Sequence, residues 1–161
     1  MRISESGRET VSELARNFRQ APMAAADVAR GVSRLLLAQG LSPILEFTLP
    51  NGRRLDIAAL ASDGSIAGVE IKVSLADLRA DEKWPDYVTY CDRFFFAVPP
   101  EFPQAALPPT TGLIVADRFG GAILRDSVRQ TVAPARRRAL TLRFAMIAAE
   151  RLTRTLDPNC V

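Results

Sequence analysis

Residues 49–73 read LPNGRRLDIAALASDGSIAGVEIKV, and their period decides the fold. Apolar and polar residues alternate on both sides of Ser62-Asp63-Gly64-Ser65, which is turn chemistry. Arg54–Leu60 and Ile66–Val73 are therefore expected as two strands of one hairpin. Pro50-Asn51-Gly52 is a second turn, with Ile44–Leu49 as the strand before it. The three form a meander.

Helices flank the meander on both sides. Residues 23–39 carry Val28, Val32, Leu35 and Leu36 on one face, with Pro22 before them and Gly40 at the C′ position. A shorter amphipathic helix is expected over 9–18, from Val11, Leu14, Ala15 and Phe18. Residues 75–91 are helical in composition, with Ser74 as cap and a break near Trp84 because Pro85 follows. Phe94–Val98 (FFFAV) reads as a buried strand parallel to its neighbour. A proline-rich loop over 99–109 leads to a closing hairpin, Gly112–Ala116 and Ala122–Arg125. The last helix runs from Pro134 to about Leu156. It has two apolar stripes: Ala139, Leu142, Ala145, Met146, Ala149, Leu152 and Leu156, and Leu140, Phe144 and Ile147. A helix with two such stripes is buried on more than one side or meets a partner. The expected fold is α/β: one domain over 1–161, a central mixed sheet flanked by helices, and a long C-terminal helix.

Composition narrows the chemistry. There is no histidine among 161 residues. That removes Ser-His-Asp and Cys-His triads and every imidazole metal site. Two cysteines, Cys91 and Cys160, cannot build a four-ligand zinc site. Of 21 basic residues only Lys72 and Lys83 are lysine, so 21 − 2 = 19 are arginine. Net charge is +3, compatible with a nucleic-acid partner. No apolar run reaches a membrane span and the polar N-terminus has no signal-peptide core, so no membrane association and a cytoplasmic location are expected.

The carboxylates stand out within this frame. On a strand over 66–73, Glu70 and Lys72 point to one side and Val69, Ile71 and Val73 to the other. Asp56 sits between Leu55 and Ile57 on the preceding strand, where it faces Glu70 if the strands pair. Two carboxylates suit a hard cation, Mg²⁺ or Mn²⁺, and a neighbouring lysine can orient water or stabilise charge developing on phosphorus. The simpler reading is a cross-strand ion pair. Lysine is so scarce that acid-x-Lys occurs by chance at roughly 0.2 per chain, which makes this match more informative than usual, and the strand placement and upstream Asp56 add to it.

Asp56 followed by Glu70-Ile71-Lys72, in a helix–meander–helix–strand frame, resembles the PD-(D/E)xK nuclease-like superfamily. Leu55 stands where the name-giving proline would be. Residues 28–39 hold no acid, although related nucleases often carry a Glu on the first helix; Glu46 is the nearest substitute and Asp27 a weaker one. Three stretches, 49–60, 69–98 and 135–152, look like the MmcB-like DNA repair family of bacteria. The resemblance implies a restriction-endonuclease-like fold and a DNA-repair context, with Asp56 and Glu70 as metal ligands and Lys72 assisting water. The leading expectation is a divalent-metal-dependent phosphodiesterase acting on DNA. The alternatives are a non-catalytic nuclease-like DNA-binding or adaptor protein, and a structural or dimerisation protein using the last helix. A homodimer or a repair-protein partner fits either.

Several charges remain. Arg53 and Arg54, beside Asp56, are candidates for phosphate contact, and so is Lys83. Asp77 and Asp81, one helical turn apart, either extend the acidic site or form a solvated face. Trp84 either stacks a base or packs in the core. Arg136-Arg137-Arg138 opens the last helix, where the dipole disfavours cations; a phosphate, Asp126 or Glu101 would relieve it, and a solvated basic turn is the commoner explanation.

Overall fold

Gly52 and Gly64 both take φ of 80°, the left-handed region that side chains resist, and each reverses the chain between strands. The computed structural model describes residues 23–160. The helix expected over 9–18 lies outside them.

The order is α1 (Ala25–Ala38), β1 (Ser42–Thr48), β2 (Arg54–Leu60), β3 (Ile66–Ile71), α2 (Leu75–Ala80), α3 (Pro85–Val88), β4 (Arg93–Val98), β5 (Gly112–Ala116), β6 (Gly121–Arg125) and α4 (Pro134–Leu156). The six strands form one sheet in sequence order. β1, β2 and β3 pair antiparallel, β3, β4 and β5 parallel, and β5 and β6 antiparallel. The expected mixed sheet with flanking helices and a long last helix is what forms.

Each face of the sheet holds a core. On one, Val28, Val32 and Leu36 of α1 pack against Ile57, Val69, Ile71, Phe95 and Ile114. On the other, Leu140 and Phe144 of α4 pack with Phe47, Leu55, Phe94 and Phe96. α1 ends as its sequence requires: Gly40 has φ of 78°, its N–H donates to the Leu37 carbonyl, and the Leu41 N–H donates to the Leu36 carbonyl. Ser74 caps α2, its hydroxyl accepting from the Asp77 N–H at 3.1 Å, and Pro85 opens α3.

Three expectations need correction. β1 starts two residues before Ile44 and stops at Thr48, and β3 stops at Ile71 rather than Val73. The Lys72 N–H still reaches the Ala97 carbonyl at 2.9 Å, so pairing with β4 outlasts the regular strand. On α4 the stripe of Leu140 and Phe144 is the one that meets the core. Leu142, Met146, Leu152 and Leu156 of the other stripe are exposed. Finally, the arginine triplet is relieved neither by Asp126 nor by Glu101. Arg137 holds Asp92 with two contacts at 2.6 and 2.8 Å, and Arg136 donates to the Thr89 carbonyl and lies over the Tyr90 ring. Asp126 pairs with Arg93 instead.

Candidate metal and phosphodiester site

The site begins with an irregularity in two strands. β2 pairs with β3 from Ile57↔Val69 to Leu60↔Ile66 and no further. Leu55 belongs to the α4-side core and Ile57 to the α1-side core, so the strict alternation breaks at Asp56. Opposite it on β1, Glu46 has φ of 50° and Ile44 and Phe47, three apart, share the α4-side core. α4 fastens this kink: Arg151 donates to the Leu45 and Glu46 carbonyls, and Arg143 to that of Thr48. Because the ladder has parted, the Ile71 N–H lacks a backbone partner on β2. The Asp56 carboxylate takes that role, accepting from it at 2.7 Å. Asp56 is thereby held between the strands rather than pointing to solvent.

Glu70 and Lys72 occupy the α2 side of β3. Lys72 is nearly inaccessible, its side chain 5% exposed, and its ammonium stands among three carboxylates. Glu70 Oε1 lies at 3.3 Å, Asp81 Oδ2 at 2.8 Å and Asp77 Oδ1 at 3.9 Å. α2 stops at Ala80, so Asp81 becomes its C-cap and turns back onto Lys72. The solvated face expected of Asp77 and Asp81 is wrong for Asp81, which is buried, and half right for Asp77, which remains partly exposed. The signal was their one-turn spacing directly after an acid-x-Lys strand.

Charge explains the protonation pattern. Burial, then the charge of Asp56, pushes the Glu70 carboxyl up to about 7, against the opposing pull of Lys72. Burial also raises Asp56, although the Ile71 amide and Lys72 oppose it. For Lys72 burial acts downward, but Asp81 and Glu70 outweigh it and the ammonium is held above its ordinary value. For Asp81 burial acts upward, and Lys72 with the Lys83 amide outweighs it, leaving the carboxyl low. Glu70 Oε2 is buried and has no hydrogen-bond partner.

The remaining expected residues lie around this centre. Glu46 and Arg54 form an exposed pair at 3.6 Å, and Arg53 pairs with Asp86 at 3.0 Å. Lys83 is exposed and makes no ion pair among the described residues. Trp84 packs against Phe94 and Phe96 at 6.0 and 5.8 Å between ring centroids, so it is a core residue and not a free stacking platform. A cavity of about 540 Å³ opens beside Asp56, between Ala25, Ala26 and Ala29 of α1 and Leu45, Glu46 and Arg151. Among the described residues no three acidic, cysteine or histidine side chains converge closely enough to hold an ion alone. None of the helices described there is long and apolar enough to cross a membrane.

Comparison with known proteins places the chain in a family and matches its fold. The family model described as DNA repair protein MmcB-like matches residues 12–159. A solved structure, a protein of unknown function from Silicibacter pomeroyi, is 42% identical, with a TM-score of 0.83 over 85% of this chain and 94% of that one. No curated protein matches the sequence.

Proposed function

The chain belongs to the MmcB-like family of DNA repair proteins, and from that premise we propose that it is a divalent-metal-dependent phosphodiesterase acting on DNA, with a PD-(D/E)xK-type site at Asp56, Glu70 and Lys72. One observation carries the reading: Glu70 Oε2 is buried, unpartnered and close enough to Asp56 for that charge to raise its pKa. Lys72 reaches only Oε1, and a buried carboxylate oxygen left without a donor is expensive. Three carboxylates, Glu70, Asp77 and Asp81, stand about a single ammonium, with the Asp56 carboxylate on the Ile71 amide beside them, and this excess of negative charge fits a second cation.

Asp56 and Glu70 would hold that cation, with Glu46 at the cavity rim as a further acid. Mg²⁺ commonly takes only one or two carboxylates, keeps waters and shares phosphate oxygens, so two suffice. When bound, Mg²⁺ or Mn²⁺ supplies Lewis acidity toward a phosphoryl oxygen and acidifies water. The protein's own parts do the rest. Asp81 keeps Lys72 protonated, so Lys72 acts as a fixed positive charge and hydrogen-bond donor rather than a base. Arg54, whose charge acts on Asp56, and Arg53 next to it in the chain would contact phosphate.

The adaptor reading has its own support: Lys72 is already neutralised by Asp81, and no three-ligand cluster exists among the described residues. Calorimetric titration of Mn²⁺ into the wild type and Asp56→Ala separates the two. The nuclease reading expects one site in the wild type and its loss, by at least tenfold in affinity, in the variant. Absence of metal binding in the wild type leaves the adaptor.

A further inference from the structure

We infer that α4 pairs with α4 of a second copy of this chain, antiparallel and centred on Ala149. Leu142, Ala145, Met146, Ala149, Leu152 and Leu156 are all exposed and lie opposite the face that Leu140 and Phe144 bury. Leu142, Ala149 and Leu156 are seven apart, as are Ala145 and Leu152, which is the spacing of a helix–helix seam. Between 142 and 156 no charge falls on this face. Arg143 and Arg151 are spent on β1 carbonyls, and Glu150 and Arg154 lie to the other side.

The ends select a second copy and its direction. Arg138 continues the seam at its N-terminal end, and its side chain has no partner among the described residues. Asp157 caps the other end of α4, where carbonyls carry partial negative charge. Parallel pairing would set Arg138 against Arg138. An antiparallel two-fold sets it instead at the far end of the partner's helix, about one turn beyond Asp157 of the partner subunit. The same operation brings Leu156 of the partner subunit to Leu142, in a groove lined also by Pro134, Thr141 and Ala145 and flanked by Arg137 and Arg138. Knob and groove lie on one helix at similar distances from Ala149, which is the self-complementarity an isologous interface needs. Small Ala149 at the axis permits close approach. Six apolar side chains from each copy cover roughly 1,000 Å², the lower bound for specific association. The inference does not depend on whether the chain cleaves DNA.

Light scattering on the full chain at micromolar concentration should give twice the chain mass. Met146→Glu with Leu152→Glu should give the chain mass, with unchanged circular dichroism. In a Cys160→Ser background, Ala149→Cys should form a covalent dimer on oxidation, since a two-fold sets residue 149 opposite itself. A monomeric wild type, whether because another segment or another protein covers the stripe, overturns the inference. So does a dimer that survives the paired glutamates. A dimer that does not cross-link at 149 overturns the antiparallel arrangement.

Discussion

Glu70 is where pH should act. Its carboxyl titrates near 7 in the folded chain, against an ordinary 4.5. Between those values the folded state keeps a proton that the unfolded state has released. Stability therefore falls as pH rises from about 4.5 to 7 and levels off above. The full difference is a few kcal/mol at most, from about 1.4 kcal/mol per pH unit. Urea melts at pH 5 and pH 8 should show this loss in the wild type and much less of it in Glu70→Gln. Equal slopes in the two proteins would mean that Glu70 ionises normally. Lys72 gives the companion test of chemistry. Lys72→Arg keeps the charge but replaces a compact ammonium with a planar fork, in a space bounded by Glu70 and Asp81. If Lys72 assists an attacking water, cleavage should drop by about 100-fold or more while DNA affinity stays within about twofold. Cleavage that survives unchanged removes this role from Lys72.

α1 shows how tightly one element can be placed. Gly31 faces the turn between β5 and β6, where an added Cβ would stand 1.8 Å from the Asp117 carbonyl oxygen and 2.6 Å from that of Gly120. These are backbone atoms of a turn braced by the Asp117 carboxylate, which accepts from the Phe119 and Gly120 N–H groups. Gly31→Ala gains helix propensity of about 1 kcal/mol, yet it should destabilise by about 2–3 kcal/mol because α1 must lift from the sheet. A chemical melt that shows a gain in stability would mean that the turn yields. Elements of this kind were legible where a local rule sets them. Gly40, Gly52, Ser74 and Pro85 each announce a boundary by their own backbone chemistry. The alternation of 66–73 placed Glu70 and Lys72 on one face. The kink at Glu46 was not legible, because no glycine marks its positive φ; arginines from α4, about 100 residues away, hold it. The seating of Asp56 in the ladder follows from that kink. The choice between α4's two stripes was closed to local reading as well. Both have helical spacing, and only the finished sheet decides which is buried.

The whole molecule carries +3, and near the candidate site its exposed cations are held loosely. Arg54 and Glu46 are both more than half exposed at 3.6 Å, a pair worth at most about 1 kcal/mol, so a phosphate can displace the carboxylate. Trp84 is committed to packing on Phe94 and Phe96 and is not free to stack a base. Binding through phosphates should therefore dominate if DNA is the partner, and affinity should fall linearly on a log–log plot against salt. Arg54→Ala should weaken binding across sequences and flatten that slope by about one unit. Arg129→Ala serves as the control, because Arg129 lines a separate cavity with Ser65 and Ile66, at the far end of β3 from Ile71. Fluorescence anisotropy over a salt series measures both slopes. If Arg129 carries the loss instead, DNA lies at the wrong end of β3 to meet Asp56 and Glu70. Affinity independent of salt would remove the phosphate-based mode altogether.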